Sequence, residues 1–160
     1  MKKWKRDIEI NAPIDHVWRL FDGSVEDRQK VMPNLIELET VTETENRIDS
    51  IYKQAFKVGS RFQTFEVKIL EYSNQPKEKH LEESFVHSGL FEITTSYTLK
   101  EIDENKTHFT YATRTRPLKW YLRLFMLLQL SSGRMTTSFV NNVKKIAETK
   151  VEPEPEIESE

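Results

Sequence analysis

The sequence predicts an α+β fold in which a seven-stranded antiparallel sheet curls around a long C-terminal helix, with two short helices after the first strand. Three observations predict it. An alternating strand near the start leads directly into an amphipathic segment, the middle of the chain alternates with a period of two, and the last part carries one long apolar segment. A sheet that is apolar on one face must be covered, and this last segment is long enough to cover it.

The first strand runs from Trp4 to Ile10, where polar and apolar residues alternate as in a half-buried strand. Pro13 suits the first turn of a helix because no backbone donor is needed there, with Asn11 or Ala12 near the cap. One apolar stripe at helical spacing follows: Ile14, Val17, Trp18 and Phe21. Ser24 then offers a cap for a second short helix through Gln29.

Between Leu35 and Thr115 the sequence predicts six strands joined mainly by hairpins, because turn signals recur at regular intervals. These signals are Glu45-Asn46, Val58-Gly59-Ser60, Ser73-Asn74-Gln75-Pro76, His87-Ser88-Gly89 and Asp103-Glu104-Asn105. Alternation places the apolar residues of each strand on one face. This predicted inward face comprises Phe65, Val67, Ile69, Phe91, Ile93, Tyr97, Leu99, Phe109 and Tyr111.

The final helix is predicted from Pro117 to about Lys150, a length of roughly 50 Å. Ser131-Ser132-Gly133 interrupts it with poor helix formers, so we expect a kink or a short break there. Leu118 to Leu130 is apolar around nearly its whole circumference, whereas covering a sheet requires one apolar stripe. The second apolar side fits core or ligand contact, self-association as a homodimer, or contact with a membrane surface.

Composition excludes several classes of protein. With 24 basic and 26 acidic residues well mixed among 160, the formal charge of -2 offers no polycationic face for nucleic acid. The absence of cysteine suits a cytoplasmic protein, and neither a signal peptide nor a transmembrane segment is predicted. We expect a single domain over residues 1–150, followed by a disordered acidic tail over residues 151–160.

The stretch Ile8-Glu9-Ile10-Asn11-Ala12-Pro13-Ile14-Asp15-His16-Val17-Trp18 resembles the opening of the START-like superfamily, also called SRPBCC. Ser50-Ile51-Tyr52-Lys53-Gln54 and Ile69-Leu70-Glu71-Tyr72 are similar to two further stretches of that superfamily, with Asp49 where a glycine often stands. The resemblance implies a helix-grip fold with an internal cavity between sheet and helix. Members include polyketide cyclases, plant pollen-allergen-like proteins and lipid-transfer domains, so the resemblance implies ligand binding without naming a ligand.

The predicted ligand-binding residues are the inward-facing side chains that surround this cavity. They are Arg61, Gln63, Phe65, Val67, Phe91, Ile93, Thr95, Tyr97, Phe109, Tyr111, Phe125 and Phe139. An unpaired guanidinium is costly in an apolar interior, so Arg61 either pairs with Glu83 or receives an anionic ligand group, and we favour the pair.

No catalytic residue, metal site or cofactor is predicted. His16 and His108 fall on outward faces, and His87 shares parity with Leu81 and Phe85, although we favour a turn role for it before Gly89.

The predicted function is binding of a hydrophobic small molecule such as a lipid, polyketide-like or aromatic compound. The alternatives are an enzyme of the polyketide cyclase or aromatase type, and a protein- or membrane-interaction module that uses Leu118 to Leu130.

Overall fold

The computed structural model describes residues 2–123 and 134–149. Its described strands form one antiparallel seven-stranded sheet in the order β1-β7-β6-β5-β4-β3-β2. The strands are β1 (Lys2–Ile10), β2 (Leu35–Thr42), β3 (Ile51–Val58), β4 (Arg61–Asn74), β5 (Glu78–His87), β6 (Phe91–Asp103) and β7 (Lys106–Pro117). The helices are α1 (Ile14–Asp22), α2 (Val25–Gln29) and α3 (Arg134–Glu148). The predicted helix-grip architecture is therefore confirmed.

The first and last strands of the described chain are neighbours in the sheet, because β1 pairs with β7 rather than with β2. Ile8 lies opposite Phe109, and Ile10 lies opposite Thr107. The Thr107 hydroxyl is fully buried and donates a 2.8 Å hydrogen bond to the Ala12 carbonyl, which fixes the exit from β1. This exit directs α1 onto the same face of the sheet that α3 covers.

The two short helices begin close to where the sequence predicts. The Ser24 side chain accepts a hydrogen bond from the Asp27 backbone N–H, and the Asp27 carboxylate accepts one from the Ser24 backbone N–H, which completes a capping box at the start of α2. The prediction for α1 is wrong by one residue, because Pro13 itself is the cap and the helix begins at Ile14. The apolar stripe of α1 packs into the core, where Val17, Leu20 and Phe21 are almost fully buried.

The last helix packs against β1 and the core through one apolar face. Thr136, Val140, Val143 and Ala147 follow one another at intervals of four, three and four residues, and all are buried. Polar contacts hold the same interface at its edges. Arg6 Nε donates to Thr137 Oγ1 over 3.0 Å, and Lys144 Nζ donates to the Glu9 carbonyl over 2.7 Å.

The predicted start of the final helix at Pro117 is wrong. Pro117 is the last residue of β7 and lies opposite Phe91 of β6, so the strand continues to the end of the hairpin ladder. Helical backbone begins again at Trp120. The predicted kink at residues 131–133 and the predicted tail at residues 151–160 lie outside the described residues. Among the helices of the described chain, none is both long and apolar enough to cross a membrane.

Candidate functional site: a cavity between the sheet and the last helix

A cavity of about 460 Å³ lies between the sheet and α3. Strands β3 to β7 supply most of its wall, and the connection between α2 and β2 and Phe139 of α3 supply the rest. Three lining residues, Asn34, Val58 and Gln63, are exposed, so the cavity reaches the surface beside the hairpin that joins β3 and β4. The described lining is Met32, Asn34, Gln54, Phe56, Val58, Gln63, Phe65, Val67, Glu83, Phe85, His87, Ile93, Thr95, Tyr97, Tyr111, Thr113 and Phe139.

Strand register arranges this wall in rows that cross β5, β6 and β7. The deepest row contains Tyr97 and Tyr111, which lie opposite each other, and Leu81 of the core lies opposite Tyr97. Two residues further along each strand, Glu83, Thr95 and Thr113 form a polar row. Phe85 and Ile93 form the next row toward the mouth. The cavity therefore has a band of polar groups between two apolar bands.

Aromatic rings close the cavity at its deep end. The Phe21 ring stacks 4.5 Å from the Tyr97 ring, and the Tyr111 ring centroid lies 4.5 Å from that of Phe139. Phe109 is fully buried beneath them, 5.2 Å from Phe21. Rings on α1, β6, β7 and α3 meet here, so the depth of the cavity is fixed by packing between the two helices and the sheet.

A second set of rings lies toward the mouth. The Phe65 ring contacts the rings of Phe85 and His87, with centroids 5.1 Å and 5.8 Å apart, respectively. Phe56 packs against the other side of Phe65 at 5.9 Å. These side chains make the entrance apolar and leave one polar ring, His87, beside it.

Glu83 is the acidic group of the described lining, and it projects from β5 into the polar row. It keeps a partly accessible surface although it lies deep in the fold, because that surface faces the cavity. Burial raises the pKa of Glu83 to about 7, while Arg28 acts to lower the pKa and Asp22 acts to raise it. Near neutral pH this carboxyl group is therefore divided between its protonated and ionised forms.

The two tyrosines of the deep row stay protonated. Burial raises the pKa of Tyr111 to about 12, and the Glu83 charge adds to this shift. Burial likewise raises the pKa of Tyr97 well above its usual range, with Glu83 and Tyr111 as further causes. Both phenols are therefore neutral hydrogen-bonding groups rather than anions at physiological pH.

The arginines near the cavity, Arg28 and Arg47, form ion pairs with Asp22 at the end of α1. Arg47 Nη2 lies 3.1 Å from Asp22 Oδ1, and Arg28 Nη2 lies 3.9 Å from the same oxygen. The Tyr72 hydroxyl donates a 2.7 Å hydrogen bond to Asp22 Oδ2. Both guanidinium groups thus have an anionic partner outside the cavity lining.

Of the twelve residues predicted to bind ligand, the structure brings eight together in the cavity wall: Gln63, Phe65, Val67, Ile93, Thr95, Tyr97, Tyr111 and Phe139. Phe109 lies in the solid core beneath the deep end. Phe91 is at the end of the β5–β6 hairpin outside the lining, and Phe125 lies outside the described residues.

Arg61 differs from the prediction. It is the first residue of β4, paired with Val58 at the end of an exposed hairpin, and it lies outside the lining. The expected pair with Glu83 does not form. Glu83 lies on β5, opposite Ile69 of β4, and Ile69 is eight residues further along β4 than Arg61. Strand parity was correct for Arg61, but parity does not say how far the covered part of the sheet extends toward the hairpin.

The histidines are placed as follows. We favoured a turn role for His87. The structure places it at the end of β5, where its side chain also lines the mouth of the cavity. His108 lies on an outward face beside Asp7, with Nε2 3.2 Å from Asp7 Oδ1.

The ligand atoms of Glu71, His80 and Glu82 come within 4.8 Å of one another, a grouping that the sequence did not predict. Contacts within the protein explain why these three side chains lie together, so a bound ion is not needed to explain the grouping. His80 bonds to Glu71 and Thr98 at 2.8 Å and 2.7 Å, and Glu82 pairs with Arg114 at 3.2 Å.

Sequence reasoning missed Glu83 and Gln54 as members of the site. Glu83 shares the alternation of Leu81 and Phe85, so parity placed it inward, but we assigned it to Arg61 as a partner. Gln54 lies opposite Phe65 and is buried in the wall. The signal that identifies both is a polar residue on an otherwise apolar face, and this signal requires knowing which part of the sheet is covered.

Comparison with solved structures confirms the START-like fold. The chain superposes on the lipid transfer and protein localization domain of human StarD13 with a TM-score of 0.64 and 18% identity, covering 93% of this chain and 78% of that chain. The aromatase/cyclase Zhui from a Streptomyces species gives a TM-score of 0.65 at 12% identity, over 92% and 93% of the two chains. A major latex-like protein from Panax ginseng gives 0.62 at 12% identity, over 91% and 93%. No protein-family model and no curated protein sequence matches the chain.

Proposed function

We propose that this protein binds a hydrophobic small molecule in the cavity between its sheet and α3. The observation that supports the proposal best is the cavity itself, about 460 Å³ with a mainly aromatic and aliphatic lining and an opening to the surface. Ligand pockets for small molecules commonly have volumes of roughly 300–1,000 Å³ and this kind of lining. Fold neighbours described as a lipid transfer domain and an aromatase/cyclase support the same class of function.

Apolar burial supplies the affinity in this proposal. A ligand that buries about 300 Å² of apolar surface gains roughly 7 kcal/mol at ~25 cal/mol per Å². Association and ordering of the ligand offset part of this gain. The polar row of Glu83, Thr95 and Thr113 then sets orientation, because a ligand group placed there finds hydrogen-bonding partners while the rest of the molecule stays in apolar surroundings.

Binding is tested with N-phenyl-1-naphthylamine, a neutral apolar probe whose fluorescence rises when it leaves water. Thr95 lies in the middle of the cavity wall, so Thr95→Trp fills the space that the probe would occupy. We expect the wild-type protein to bind the probe and this variant to lose binding while keeping its far-ultraviolet circular dichroism. Ser96→Trp is the matched control, because the next residue of the same strand faces the opposite side of the sheet. Equal probe binding by Thr95→Trp and wild type would disprove the cavity assignment.

A second candidate function is catalysis of the polyketide cyclase or aromatase type. Glu83 favours it, because a carboxyl group with a pKa of about 7 exchanges protons readily near neutral pH. This candidate requires turnover of a polyketide-like substrate that is lost in Glu83→Gln while binding is kept. If binding is retained and no turnover is observed with either protein, the chain is a carrier.

The homodimer predicted through Leu118 to Leu130 remains a prediction. Leu118, Trp120 and Tyr121 are exposed at the start of that segment, and residues 124–133 lie outside the described part of the chain. Light scattering over a range of concentrations tests it. We also place the binding function in the cytoplasm, a proposal that rests on the absence of cysteine from the sequence.

A further inference from the structure

Glu83 gives the cavity wall a negative charge when its carboxyl group is ionised. The Glu83 carboxylate can only accept hydrogen bonds, and the described lining contains neither lysine nor arginine. The segment that connects the described parts of the chain, residues 124–133, also contains no ionisable side chain in its sequence. A ligand anion would therefore meet Glu83 without a compensating positive group, which is unfavourable in an apolar interior.

Glu83 also lacks a bonded partner within the described residues, where no side chain hydrogen-bonds to it or pairs with it within 4.0 Å. Arg28, whose charge acts on Glu83, is instead paired with Asp22, as is Arg47. Arg28 has a further hydrogen bond of 2.9 Å from Nε to the Gly23 carbonyl, so two contacts hold it outside the cavity. An unpaired carboxylate in an enclosed apolar wall is costly unless something else satisfies it.

We propose that the cavity selects hydrophobic molecules that carry a protonated amine, with the ammonium group bound to the Glu83 carboxylate. This inference rests on the proposed binding function and specifies its ligand class. In the same row Thr95 lies opposite Glu83 and Thr113 lies opposite Thr95, and these hydroxyls accept the remaining ammonium hydrogens. The apolar part of the ligand then lies toward the mouth, among Phe65, Phe85 and Ile93.

Aromatic rings near the polar row favour the same ligand charge. Tyr97 and Tyr111 lie in the adjacent row, and Phe139 packs against Tyr111. The faces of such rings attract cations and repel anions. Carboxylate and rings therefore act together to discriminate between ligands of equal size and opposite charge.

Binding of an amine by this site depends on pH because Glu83 must be ionised. The charged and titratable groups that act on it are Asp22 of α1, Arg28 of α2, Tyr97 of β6 and Tyr111 of β7, and His87 of β5 lines the mouth of the same cavity. Both tyrosines remain neutral throughout the range in which Glu83 titrates. Amine binding should therefore strengthen as pH rises through about 7, the range in which Glu83 loses its proton.

The experiment compares three probes of equal chain length, dodecylamine, dodecanol and dodecanoate, by displacement of N-phenyl-1-naphthylamine below their aggregation concentrations. At pH 8 we expect dodecylamine to bind at least about tenfold more tightly than dodecanoate, with dodecanol between them. Lowering the pH to 5.5 should weaken dodecylamine binding by about tenfold and leave dodecanol unchanged.

Glu83→Gln should remove both the preference for dodecylamine over dodecanoate and the pH dependence of amine binding, while its far-ultraviolet circular dichroism matches that of wild type. Glu82→Gln is the matched control, because the neighbouring residue on β5 faces outward and pairs with Arg114, and it should behave as wild type. Equal binding of amine and carboxylate, or an amine preference that survives in Glu83→Gln, would overturn the inference while leaving hydrophobic binding in place. Failure of all three probes to bind would overturn the proposed function together with this inference.

Discussion

The Tyr72 hydroxyl donates a 2.7 Å hydrogen bond to Asp22 Oδ2, which ties β4 of the sheet to the last residue of α1. The Arg47 guanidinium completes the arrangement, since it pairs with the other Asp22 oxygen and lies 4.7 Å above the Tyr72 ring. Burial and the Asp22 bond raise the pKa of Tyr72 to about 12. This group of three side chains fixes the short helices over the sheet, beside the cavity that they help to close.

Tyr72→Phe should destabilise the protein by about 2 kcal/mol, because the variant removes a hydrogen bond to a partly buried carboxylate and keeps the ring. Urea denaturation followed by tryptophan fluorescence measures the change. The matched control is Tyr52→Phe, whose hydroxyl makes a longer bond of 3.4 Å to exposed Glu43. The control should cost less than about 0.5 kcal/mol. Equal losses in the two variants would show that the Asp22 bond has no special role.

Glu83 should make the protein less stable as pH rises from about 4.5 to about 7. Burial raises its pKa to about 7 from the ordinary value of 4.5. Between these values the folded protein holds a proton that the unfolded chain has released, so stability is greatest below this range and declines through it. The full decline is about 3 kcal/mol, since one pKa unit corresponds to about 1.4 kcal/mol.

Glu83→Gln removes this titration, so the variant should be more stable than wild type at pH 8 and similar to it near pH 4.5. The measurement is the unfolding free energy at several pH values for both proteins. All other ionisable groups are common to the two, so the difference between the curves reports on Glu83. Parallel curves would contradict a raised pKa at this position.

Gly23 should resist substitution because of close packing rather than because of its backbone angles. An added Cβ would lie 2.4 Å from the Arg19 carbonyl oxygen and 2.6 Å from Asp27 Oδ2. Gly23→Ala must therefore displace the junction of α1 and α2, and we expect a loss of about 2–3 kcal/mol in thermal or urea unfolding. Gly59→Ala separates the two causes, since Gly59 has φ +63 with nothing near its Cβ position, and its cost should be about 1 kcal/mol. If Gly23→Ala is the milder variant, the junction is not tightly packed.

Most of the architecture followed from local patterns in the sequence. Period-two alternation predicted the strands, the stripe through Val17 and Phe21 predicted α1, and Ser24 predicted the cap of α2. The resemblance also extended to an unusual detail. Asp49 stands where the superfamily often has glycine, and its φ of 67° is the left-handed conformation that glycine adopts most easily.

The site was predictable only in part, because its decisive features are set by tertiary structure. Pro117 reads locally as a helix start, but pairing with Phe91 extends the strand through it. Arg61 and Glu83 both face inward by parity, yet the covered region of the sheet includes Glu83 and leaves Arg61 in an exposed hairpin. Alternation gives the face of each residue, whereas enclosure depends on where α3 and the short helices lie.

The packing of α3 against the sheet depends on a few buried side chains. A substitution at Val143 is the most direct test of this packing. Val143 is fully buried in the cluster that also contains Ile10 and Phe109. Val143→Ala removes two methyl groups from this packing and should cost about 2 kcal/mol of unfolding free energy. Ser138→Ala, on the exposed side of the same helix, should change stability by less than about 0.5 kcal/mol. Because Val143 lies outside the cavity lining, N-phenyl-1-naphthylamine affinity should be retained under conditions in which the variant is folded. A Val143→Ala protein as stable as Ser138→Ala would mean that α3 is held mainly by its polar contacts with β1 rather than by apolar packing.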